Sequence, residues 1–178
     1  MTFAFVSGNV ALDLAGTVQH RRTDARDLLT APDDLACWIV EAGLVDERPP
    51  VDADGLVCAV RLREAIYRLA CAARDRAPYD AADRALLNAA AAAMPVQVHL
   101  AADGSASRDG DLDAVLSTVS RAAAELLTGP LAHAVKECAA DECTRLYTDT
   151  SRRGSRRWCD MRWCGNRAKA ATFRSRRS

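Results

Sequence analysis

Four cysteines near one end of the chain constrain its fold more tightly than any other feature. Cys138 and Cys143 are separated by four residues, fifteen residues follow, and Cys159 and Cys164 repeat the gap. Two thiol pairs joined by a hairpin-length loop are the usual way a chain builds a tetrahedral zinc site. Each pair folds back as a knuckle and offers both sulfurs to one ion. Pairs with two intervening residues are commoner, and disulfides or unrelated buried thiols are the competing readings. Zinc held by four thiolates carries a formal charge of about minus two, which asks for cations nearby. Arg152, Arg153, Arg156, Arg157, Arg162 and Arg167 lie within the knuckles and their connecting loop. Such cations favour the thiolate form that binds metal. Gly165, directly after the last thiol, suits a turn that a side chain would obstruct. The expected cofactor is one structural Zn2+ on Cys138, Cys143, Cys159 and Cys164.

The remaining residues read as helices. Val10, Leu14 and Val18 recur every four residues behind Asn9, a capping residue, and His20-Arg21-Arg22 closes that helix with cations at its C-terminus. A ligand or anion pocket is the functional alternative for that cluster. Thr30-Ala31-Pro32-Asp33 opens a second helix carrying Trp38 as a core residue, and Gly43 stops it. A long helix follows over about 54–76, and Asp80 caps a fourth that Pro95 ends. Cys37, Cys58 and Cys71 fall on these helices and read as small inert hydrophobes. Val96, Val98 and Leu100 alternate with polar residues ahead of Asp103-Gly104, which predicts a β-hairpin with His99 on its polar side. Asp111 opens a strongly periodic helix that Gly129-Pro130 ends, and a short helix with His133 leads to the first knuckle. The predicted fold class is mainly α: an orthogonal helical bundle with one small β-hairpin, followed by a small four-cysteine zinc-finger module. The seam falls over 128–137, giving a helical domain over 1–129 and a finger with a basic C-terminal helix over 130–178.

Charge divides along the same line. The chain is neutral overall, but 136–178 holds twelve Lys/Arg against five Asp/Glu, a balance of +7, and the first 135 residues balance at −7. An acidic body with a basic tail points to nucleic acid, or to a solvated tail that offsets the body. The expected nucleic-acid contacts are Arg152, Arg153, Arg156, Arg157, Arg167, Lys169, Arg174, Arg176 and Arg177. On a helix from 165 onward, Arg167, Arg174 and Arg177 share one side and Lys169 and Arg176 the other, which suits phosphate contact better than ordered base reading. Asn166 is the expected cap of that helix, and Trp163 and Phe173 its anchors to the body.

No stretch has the length and apolarity of a membrane span, and the N-terminus has no basic lead-in to a signal sequence. Seven cysteines, an odd number including a metal-type quartet, fit a reducing cytoplasm. Catalytic chemistry is not expected: four thiolates leave zinc no open position, and three scattered histidines form no nucleophile–base pair. Asp13, Asp24 and Asp27 read as solvated helix-surface acids.

Cys164-Gly165-Asn166-Arg167 resembles the signature of the CGNR zinc finger, as do Leu146-Tyr147-x-Asp149-x-Ser151-Arg152 and Arg156-Arg157-Trp158-Cys159. The match covers about 138–174. The opening of the chain resembles the start of the ABATE domain, which commonly precedes that finger. Gly16-Thr17 stands where members of that family usually show Asn-Thr. The resemblance implies a transcription regulator whose partner is DNA, with a helical domain that senses an unidentified small-molecule effector or forms a homodimer. The alternative is a zinc-knuckle protein-interaction adaptor, or a thiolate redox sensor, without direct DNA binding.

Overall fold

The computed structural model describes residues 2–175, and side chains as far as Ala170. The expectations placed on Arg176 and Arg177, and on the side chains of Phe173 and Arg174, lie outside the described residues. Six α-helices and three two-stranded antiparallel sheets are present among them.

The first helix, α1 (Val10–Ala15), begins where the Asn9 side chain accepts a hydrogen bond from the Ala11 N–H at 2.9 Å. It is shorter than its apolar spacing predicts. Gly16 lowers helix propensity, and the Thr17 hydroxyl donates to the Leu14 carbonyl at 2.7 Å, satisfying a chain-end acceptor. Val18–Gln19 (β1) then pairs with Arg26–Asp27 (β2), so Val18 lies on a strand. The second helix, α2 (Pro32–Glu41), starts with proline and has Asp34 accepting from the Thr30 and Ala31 amides. Gly43 takes a left-handed φ of 69° and closes it with paired bonds, Leu44 N–H to Ile39 and Gly43 N–H to Val40.

Helix α3 (Ala53–Asp75) is the longest, and Asp52 caps it through the Gly55 N–H. It packs against α1, against α4 (Ala81–Ala91) and against α5 (Leu112–Thr128). Leu14, Trp38, Ile39, Leu62, Ile66, Leu69, Val115 and Val119 form the body's core, all essentially inaccessible. The predicted hairpin is present as β3 (Gln97–Leu100) and β4 (Ala106–Asp109), but both strands are exposed on both faces. Cys58 is exposed, so its α3 position is not the apolar one predicted, while Cys37 and Cys71 are half-buried.

After α5 a single 3-10 turn, Ala132–Ala134, leads into β5 (Val135–Glu137), which pairs with β6 (Leu146–Thr148). These strands do not stand apart from the body. Val135 and Leu146 are buried with Leu12 of α1, Ala70 of α3 and Leu126 of α5. Burial of each large aliphatic there contributes about 1.5–3 kcal/mol. The N-terminal segment crosses the same seam: the Ser7 carbonyl accepts from Thr148 N–H at 2.8 Å. Glu137 of β5 pairs with Arg22 and Arg74 of the body. Among the described residues, no helix is long and apolar enough to cross a membrane.

Candidate metal centre and its basic rim

The β5–β6 hairpin builds the first knuckle. The Cys138 N–H donates to the Arg145 carbonyl at 3.0 Å, and the turn between them brings Cys143 back through its N–H to Ala140. The second knuckle uses a different device. Cys159 precedes a π-helical turn, Met161–Gly165, capped by Asp160, whose side chain accepts from the Arg162 N–H at 2.8 Å. The Gly165 N–H bonds to the Asp160 carbonyl, five residues back. That wide turn explains the gap of four residues: it returns Cys164 to Cys159 before the last helix, α6 (Asn166–Ser175), begins.

The four sulfurs lie within 4.8 Å of one another, with Cys143 to Cys159 at 3.8 Å and Cys159 to Cys164 at 3.6 Å. A tetrahedral zinc with bonds near 2.3 Å needs sulfurs about 3.8 Å apart, so donor type and spacing both fit. Three of the four sulfurs belong to buried residues, and Cys143 is half-buried. Burial and the neighbouring Cys143 and Cys138 thiolates push the Cys164 thiol up to about 12. Hydrogen bonds with Cys138 and Cys143 push Cys159 up as well, while hydrogen bonds from Cys143 and Cys159 push Cys138 down. Four sulfurs this close share protons unless a cation ionises them together, which is what a divalent metal supplies. The Cys159 N–H, 3.3 Å from the Cys138 sulfur, is placed to stabilise a thiolate.

A frame of buried polar residues holds the centre. Tyr147 is fully buried and donates its hydroxyl to the Arg156 carbonyl at 2.7 Å. Asp149 accepts from Lys136, from Ser151 and from the Arg156 N–H. Burial alone would raise its carboxyl, but the Lys136 and Ser151 hydrogen bonds outweigh that and hold it below the usual range. Gly165 permits close packing: a Cβ there would stand 2.6 Å from the sulfur of the flexible Met161 side chain and 3.2 Å from the Trp158 ring, so both would have to shift.

The predicted cations divide. Arg152 and Arg153 are exposed on the loop after β6, which turns at Gly154 with a left-handed φ of 56°. Arg157 is exposed, with its guanidinium 4.9 Å from the centre of the Trp158 ring. Arg167 and Lys169 are exposed on α6, and Arg167 reaches Glu142 only at 4.0 Å. Arg156 does not belong with them. It folds inward over the Tyr147 ring at 4.4 Å and donates to the carbonyls of Val6, Trp158 and Cys159. Asn166 lies inside α6 with helical backbone angles, so the cap at this end is Asp160. Trp163 is 70% exposed, so it is not the buried anchor expected. His133 is exposed and lies outside the thiol cluster.

Two acids read as solvated are structural. Asp27 takes a paired ion contact from Arg63, itself 3% exposed, at 2.7 and 2.8 Å. Asp13 is buried and accepts from the Val6 and Ser7 amides. Sequence reasoning missed Arg145, the first cation after Cys143. Its guanidinium lies against Gly16, and no local pattern marks that long-range contact.

Fold and site together define a helical protein that carries a four-thiol zinc knuckle packed on its flank. The ABATE family model, described as "Putative stress-induced transcription regulator", matches residues 8–130, and that of the CGNR zinc finger matches 134–177. The chain therefore belongs to the ABATE family and ends in a CGNR zinc finger. No curated protein matches it significantly.

Proposed function

We propose that this protein is a zinc-containing, DNA-binding transcription regulator, with a helical region over 1–129 and a finger over 130–178 that contacts DNA. Cys138, Cys143, Cys159 and Cys164 hold one zinc, which shapes the finger and takes no part in catalysis. The observation that carries the reading is the set of exposed cations on this small module, among them Arg152, Arg153 and Arg157 on its loop and Arg167 and Lys169 on its helix. None is neutralised by a close acid among the described residues, since the Arg167–Glu142 pair is long and exposed. Phosphate attracts such a surface, and the acidic body is repelled from the same duplex. The family description supports the same role.

Replacing Arg152, Arg153 and Arg157 together by alanine tests this. Zinc content and melting temperature should hold, and affinity for duplex DNA should fall by roughly tenfold or more at moderate salt. Unchanged affinity would remove the loop from the interface. A second reading, a docking knuckle for a protein partner, is favoured by Met161 and Trp163, both exposed beside the metal centre.

A further inference from the structure

A cleft of about 330 Å³ runs between the N-terminal segment, the end of α1 and the two knuckles. That volume lies at the lower end of the range for small-ligand sites. Phe3, Val6 and Val18 line it with apolar surface, and the exposed Trp163 ring stands among its walls. Two cations face it from the finger, Arg145 and Arg167. Arg145 spends one described hydrogen bond, from Nη1 to the Ala4 carbonyl at 3.0 Å, which leaves the rest of its fork without a described partner. Its guanidinium fills the space beside Gly16, where a Cβ would come within 2.4 Å of Nη1. The missing side chain at 16 thus lets the guanidinium reach the cleft. His20, also on the wall, has a buried Nδ1 with no hydrogen-bond partner.

We propose that this cleft binds a small carboxylate with a flat apolar body. The arginine fork pairs with a carboxylate in two parallel hydrogen bonds, and the aromatic and aliphatic walls take the remainder. Opposing charge is present: Asp160 lines the cleft and is held by the Arg162 N–H, and Asp13 lies near Arg145. Three of the metal-site cysteines also border it. The competing role for Arg145 is therefore to offset the thiolates.

Calorimetric titration of the zinc-loaded full chain, with no DNA present, separates the two roles and does not depend on the DNA reading. The probes are benzoate, benzamide as its neutral counterpart, and inorganic phosphate as an anion without an apolar body. Benzoate should bind with a dissociation constant of about a millimolar or tighter. Benzamide and phosphate should each bind roughly tenfold more weakly or not at all. Arg145→Met should weaken benzoate by roughly tenfold. Gly16→Ala is compatible with the local φ of −75° and should weaken benzoate as well, by pushing the guanidinium aside. Both variants should keep zinc. Failure of benzoate to bind, equal binding of benzamide or phosphate, or unchanged affinity in Gly16→Ala would overturn the proposal. If Arg145→Met sheds zinc, Gly16→Ala alone decides.

Discussion

At the scale of single residues, two adjacent arginines illustrate how position decides role. Arg156 spends its donors on three backbone carbonyls and lies over a buried tyrosine, so it joins the N-terminal segment to the second knuckle. The Arg157 guanidinium lies over the Trp158 ring, with no hydrogen-bond or ion-pair partner among the described residues. Arg156→Ala should cost about 2–4 kcal/mol of stability, from the lost bonds and the uncovered carbonyls. Arg157→Ala should cost under about 1 kcal/mol. Chemical unfolding of both variants checks this, and equal losses would contradict it. Asp13 supports a prediction with a sign. Burial raises its carboxyl above 3.8, against the Ser7 and Val6 hydrogen bonds and the Arg145 charge. A raised acid favours folding fully below its unfolded value, and that contribution is lost as pH rises through the folded value. Asp13→Asn keeps an acceptor for both amides and removes the buried charge. Its stability relative to the parent should be greatest near neutral pH and shrink towards about pH 4. A relative stability that grows on acidification would contradict this.

At the scale of elements, the β5–β6 hairpin has two duties. One end carries the first knuckle, and its other residues, Val135 and Leu146, close the body's core against Leu12, Ala70 and Leu126. A structural zinc contributes on the order of 10 kcal/mol to a finger's folding. The finger's own buried cluster is small: three cysteines and Tyr147. Chelation should therefore expose amides over 138–165 to hydrogen exchange. It should also lower the body's melting temperature, because loosening the hairpin opens the seam, while α3 and α5 retain protection. Unchanged exchange in the finger after chelation would mean that metal does not build it. The elements most legible in sequence were those with local signals: Asp80 and Asp111 each cap a helix as expected, whereas the cap of α3 is Asp52, two residues ahead of the expected start. Val18 misled because a four-residue apolar spacing continued past Gly16-Thr17, where the helix loses its support.

For the whole molecule, the acidic body and basic finger share a seam instead of a linker. The cysteine quartet was legible because its spacing is a local property. The seam was not, since Leu12, Ala70, Leu126, Val135 and Leu146 are scattered along the chain and meet only on folding. The inward turn of Arg156 was hidden for a related reason: within a run of arginines, composition does not show which one finds carbonyls. Arg145 and the cleft depend on an absent side chain at Gly16, which the apolar spacing places inside the first helix. Among the described cations that the finger presents outward are the five expected at nucleic acid: Arg152, Arg153, Arg157, Arg167 and Lys169. The central claim is that these meet phosphate. Anisotropy of a labelled random-sequence duplex, titrated with the zinc-loaded full chain over a range of salt concentrations, tests it most directly. If all five engage, the logarithm of affinity should fall linearly with the logarithm of salt, with a slope of about −4 to −5. Affinity that is undetectable at low salt, or that does not change with salt, would contradict the account and leave the knuckle as a surface for a protein partner.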